Sequence, residues 1–80
     1  MSYPDPADTE GWRRLLSSTV EPTDRTRLVL ARADAAGCHV DPATGSLVIP
    51  PGLDRDAAVS LHSQGLLNGV SIRLHESYRR

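Results

Sequence analysis

Residues 47–74, LVIPPGLDRDAAVSLHSQGLLNGVSIRL, constrain the fold more than any other part of this 80-residue chain. Leu47, Val48 and Ile49 form a short apolar run. At the far end Val70, Ile72 and Leu74 alternate with Ser71, Arg73 and His75, which is the period of a half-buried strand. Between them residues 55–66 read as a helix with a well-marked start. Asp54 supplies the N-cap, Leu53 stands in the staple position facing Ala58, and Asp56 complements the helix dipole. Two strands joined through one helix run parallel if they share a sheet, with a right-handed crossover.

A strand-to-helix turn is also where phosphates are often cradled, by free backbone N–H groups and close-approach glycines. PPGLDRD offers neither. Pro50 and Pro51 have no N–H, Gly52 stands alone, and Asp54 and Asp56 put negative charge where the anion would sit. The turn is predicted to be mechanical.

Upstream, CHVDPATGSLVIP predicts an antiparallel pair, residues 38–41 and 46–49, around a Pro- and Gly-containing turn. A helix over roughly residues 24–36 presents Val29, Leu30, Ala33 and Ala36 on one side and is stopped by Gly37. Pro22 is expected to end the preceding segment, with Thr23 capping this helix and Asp24 in its first turn. DTEGWRRLLSSTV places Trp12, Leu15, Leu16 and Val20 at helical spacing. Residues 1–8, with Pro4, Pro6, Asp5 and Asp8, read as a disordered acidic leader to a single domain over 9–80. The fold class that follows is α+β: a small two-layer domain, α-α-β-β-α-β, with a short three-stranded mixed sheet and its helices on one face.

A chain this short buries only ~60% of its unfolded surface, so its core is thin and a partner or second copy matters more than in a larger domain. Cys38 is the single cysteine, which excludes an internal disulfide and a cysteine-based zinc cluster. His39, His62 and His75 match no ligand spacing, so neither metal nor cofactor is expected. Residues 1–5 are acidic without an apolar run, and no stretch is apolar enough to span a bilayer, which predicts a cytoplasmic protein. Basic residues are all Arg, with Ala, Asp and Gly abundant, as in a GC-rich bacterium or its phage.

Candidate chemistry is sparse. Cys38 and His39 are neighbours in a strand and point to opposite faces, so they make no nucleophile–base pair. Cys38 reads as a small buried hydrophobe and Asp41 as a turn former. Ser60, Ser63 and Ser77 lack a glycine-flanked elbow, and so small a chain leaves little volume for a substrate pocket. Enzyme activity is not expected.

A DNA-binding regulator is the alternative, with Gly69-Val70-Ser71 as the turn of a helix-turn-helix and Arg73, Arg79 and Arg80 on a recognition helix. Gln64 and Asn68 fall where that motif wants apolar residues. In addition, residues 1–24 carry five acids against Arg13 and Arg14. The sequence therefore favours a non-catalytic protein–protein interaction module, a small adaptor or regulator. Its partner-binding residues are expected to be Trp12, Arg13, Leu16, Arg73 and Tyr78, helped by an open sheet edge. The partner is another protein or a second copy rather than nucleic acid, membrane or small molecule.

Overall fold

The computed structural model describes residues 2–79, with the side chain of Arg79 left out. Its elements are α1 (Thr9–Ser18), α2 (Pro22–Ala35), β1 (His39–Val40), β2 (Leu47–Ile49), α3 (Arg55–Leu67) and β3 (Ile72–Leu74), closed by a single 3₁₀ turn over Glu76–Arg79. This is the expected α+β order, with a mixed sheet β1-β2-β3. β1 and β2 pair antiparallel, Val40 opposite Leu47. β2 and β3 pair parallel, Leu47 opposite Ile72 and Ile49 opposite Leu74.

Local chemistry fixes most of the boundaries. Asp8 starts α1, one carboxylate oxygen accepting from the amide of Gly11 at 2.9 Å. α2 ends in a Schellman arrangement. The amide of Cys38 donates to the carbonyl of Ala33 and that of Gly37 to Asp34, each at 3.0 Å, with Gly37 at φ 84° where a side chain would be strained. Asp54 caps α3, accepting from the amides of Asp56 at 3.2 Å and Ala57 at 3.4 Å. Those amides are the ones an anion would have needed at the PPGLD turn.

The start of α2 differs from expectation. Pro22 is the first helical residue, with Glu21 as an N-cap that makes no side-chain hydrogen bond. Proline fits there because the first amides of a helix have no intrahelical partner and its fixed φ is already helical. The buried side of α2 is likewise Val29, Arg32 and Ala33, which turns Leu30 outward to 42% exposure. Val20 lies beyond α1 and is exposed.

The core forms where α2 and α3 meet the inner face of the sheet: Val29 and Ala33, Ala58 and Leu61, Ile49 and Ile72, with Val70 and Leu16. Alanines at the crossing points bring backbone close to backbone, so a thin core is still dense. Tyr78, on the closing turn, plugs one end. Its hydroxyl donates to the carbonyl of Pro50 and accepts from the amide of Leu53.

Residues 72–74 are a strand, and the only helical structure described after it is the single 3₁₀ turn. The helix-turn-helix alternative therefore has no recognition helix. Arg80 and the side chain of Arg79, on which it also leaned, lie outside the described residues.

Gly65 has a role in seating α3 on the sheet. α3 crosses β3 there, and a Cβ on Gly65 would overlap Cγ2 of Ile72. Ile72 is β-branched and buried, so it has little freedom to move aside. Alanine gains about 1 kcal/mol over glycine in a helix interior, whereas overpacking costs about 1–3 kcal/mol. Gly65→Ala is therefore expected to lower stability in urea denaturation, and an equal or higher midpoint would contradict the close crossing.

Candidate functional site

Trp12 is fully buried, and its surroundings explain the position of the N-terminal segment. The indole Nε1 donates to the carbonyl of Asp5 at 3.0 Å, and the ring of Tyr3 lies 5.7 Å from it. The guanidinium carbon of Arg32 lies over the ring, 5.9 Å from its centroid and within cation–π range. The stretch expected as a disordered leader thus lies across the helices, with two of its carbonyls used by side chains of the domain.

Arg32 is the centre of this arrangement. It is fully buried, yet every acceptor it finds is neutral. Nε donates to the carbonyl of Pro6 at 3.1 Å, and Nη1 donates to Ser60 Oγ at 3.1 Å and Gln64 Oε1 at 2.7 Å. Nη2 makes a long contact to the carbonyl of Ala57 at 3.5 Å. Burial pulls its pKa below the ordinary arginine value, opposed by the negative charge of Asp8. One side chain on α2 therefore binds the N-terminal segment and α3 from Ala57 to Gln64, and supports the indole of α1. A second tie at the other end, Thr26 Oγ1 donating to the carbonyl of Asn68 at 3.1 Å, sets α2 antiparallel to α3.

Above Arg32 the surfaces of α1 and α3 leave a groove of about 730 Å³. The α3 wall is a continuous helical stripe at i, i+3, i+4, i+7, i+8 and i+11: Asp56, Val59, Ser60, Ser63, Gln64 and Leu67. Thr9 and Arg13 of α1 face it. Val59 and Leu67 are exposed apolar side chains, Leu67 at 85%. Ser60 and Gln64 therefore serve both as partners of Arg32 and as groove lining.

A second, smaller hollow of about 160 Å³ lies on the outer face of the sheet beside Val48, Arg73 and His75. This face is polar and self-satisfied. Arg73 pairs with Asp41, Ser46 Oγ and Ser71 Oγ are 2.6 Å apart, and His75 Nδ1 accepts from the amide of Ser77 at 3.1 Å. Cys38 is half-buried, and desolvation pushes its thiol up to about 11, so it stays protonated near neutrality. Among the described residues no group of three or more His, Cys, Asp or Glu is placed to hold a metal ion, and no helix is long and apolar enough to cross a membrane.

The expected partner-binding residues do not form one surface. Trp12, Leu16 and Tyr78 are buried in the fold, which corrects their reading as contact residues, because a chain without phenylalanine uses Trp12 and Tyr78 to fill its interior. Arg13 is exposed on the groove wall and paired with Glu10, while Arg73 sits apart on the sheet. The groove residues Ser60, Ser63 and Gln64 were weighed in sequence only as a nucleophile or a motif mismatch. Their signal was the polar helical stripe opposite Ala58 and Leu61.

Fold and site together define a small two-layer α+β domain with an interhelical groove. Compared with protein families, curated proteins and solved structures, the chain matches none.

If Trp12 is interior, Trp12→Ala should lose about 3–5 kcal/mol, comparable with the whole stability of a small domain. Circular dichroism of the variant and acrylamide quenching of the native indole check this together. A folded variant with a freely quenched native Trp12 would contradict the burial.

Proposed function

We propose that this chain is a non-catalytic protein-interaction module, a small adaptor or regulator, that receives a segment of another protein in the groove between α1 and α3. The observation that carries the reading is the long open groove itself, with a polar floor and exposed apolar Val59 and Leu67. Peptide-binding grooves combine these parts: apolar anchors supply affinity and a few placed polar groups fix register. Its most buried polar groups are committed to structure, Ser60 and Gln64 to Arg32, which suits recognition better than turnover.

A second reading rests on Val40. It is exposed on β1, a strand at the edge of the sheet, and an edge of this kind accepts an added strand from a partner or a second copy. A cytoplasmic setting in a GC-rich bacterium or its phage fits the single protonated Cys38 and the all-arginine basic set.

Selection from a displayed random-peptide library against the folded protein tests the proposal. The recovered peptides are expected to shift the amide resonances of Thr9, Arg13, Val59, Ser63 and Leu67 in ¹⁵N NMR. Failure to recover binders, or shifts centred instead on His39, Val40 and Val48, would overturn the groove as the docking surface.

A further inference from the structure

We infer that the groove selects a segment carrying a carboxylate next to an apolar side chain, the carboxylate being held by hydrogen-bond donors that Arg32 orients on the groove floor. This rests on the groove being the docking surface.

The geometry sets the polarity of the floor. A serine oxygen that accepts from a guanidinium keeps its own O–H to donate. A glutamine whose Oε1 accepts from the same guanidinium is left with its NH₂ donors. Both acceptors here are used by Nη1 of Arg32, and both residues line the groove. Each oxygen keeps a second lone pair, but the hydroxyl hydrogen of Ser60 and the NH₂ of Gln64 are the groups pointing away from the guanidinium bond. The two side chains, one helical turn apart on α3, can therefore present donors to a visitor.

The charge beneath them points the same way. Arg32 is fully buried and its described partners, Pro6, Ala57, Ser60 and Gln64, are all neutral. Asp8 acts on it at longer range, but one Asp8 oxygen is engaged on the amide of Gly11 and no ion pair joins the two residues. A buried cation whose described hydrogen bonds all go to neutral acceptors, with Asp8 acting only at longer range, is compensated from one side and favours a nearer counter-charge on the other. A carboxylate at Ser60 and Gln64 supplies it through one layer of hydrogen bonds.

Position along the groove follows from its remaining charges. Asp56 lies in the first turn of α3, one turn before Ser60, and repels an acid from that end. Arg13 stands on the opposite wall, paired with Glu10. The acid thus seats beside Ser60 and Gln64, and the apolar neighbour reaches toward Leu67.

Two linked measurements test this. Each peptide recovered from the display is resynthesised with Asp and Glu replaced by Asn and Gln, and both versions are titrated into the wild-type protein and into Gln64→Glu. The amide versions should bind wild type about tenfold or more weakly, the scale of one charge-assisted contact. Gln64→Glu should raise the melting temperature, because it gives Arg32 its carboxylate, and should abolish the preference for acid by removing donors from the floor. Acid and amide peptides that bind the groove equally would overturn the carboxylate inference and leave the groove standing. So would a Gln64→Glu protein that melts no higher than wild type. Peptides that map outside the groove would instead overturn the docking reading beneath it.

Discussion

A buried guanidinium hydrogen-bonded to neutral acceptors organises this molecule. Arg32 reaches the N-terminal segment through Pro6, the indole of Trp12 through its π-face, and α3 through Ala57, Ser60 and Gln64. Each hydrogen bond from a charged donor is worth about 1.5–3 kcal/mol net, while an isolated buried charge is far more costly. The cation is tolerable only while all its acceptors stay in place. That requirement locks the N-terminal segment with α1, and α3 distant from them in sequence, onto one point of α2. It also explains why the stretch before α1, two prolines and all, lies on the helices.

The sheet side depends on close approach. Two- and three-residue strands give few ladder bonds, so the fold relies on Gly65 letting α3 reach β3, on Ala33 and Ala58 between Val29, Ile49 and Leu61, and on Tyr78 closing the end. With Trp12, Tyr78, Ile49, Leu61 and Ile72 turned inward, the outer stripe of α3 carries polar Asp56, Ser60, Ser63 and Gln64 between exposed Val59 and Leu67. Its neighbour α1 does not fill the space above it. The groove is thus a consequence of how the helices are tied together from below, and the residues that tie them form its floor.

Much of the fold was legible because its signals are local. Asp54 before a polar first turn, Gly37 after an alanine-rich helix, and alternation through Val70, Ile72 and Leu74 each report on hydrogen bonds or faces within a few residues. The misreadings share a different cause. Nothing local in the sequence marks Arg32 as buried, since arginine is mostly exposed, and only the tertiary arrangement of Pro6, Ser60 and Gln64 makes its burial possible. Once Arg32 occupies the inner face of α2, Leu30 must turn out. Trp12 presents the same apolar spacing whether it seals a core or docks a partner, so spacing alone does not separate the two. Pro22 is equally good grammar for the end of one segment or the first turn of the next. The groove, a space between two helices, has no signature in either helix alone beyond the polar stripe of α3.

Hydrogen exchange at the Arg32 side chain tests the central claim most directly, since its Nε–H gives a separate ¹⁵N resonance. Buried and donated to Pro6, this hydrogen should exchange far more slowly near neutral pH than the Nε–H of Arg14, which is exposed on α1. Exchange of Arg32 at the same rate as Arg14 would mean that the guanidinium is open to water, and that neither the helix packing nor the donor-lined groove floor is built on it.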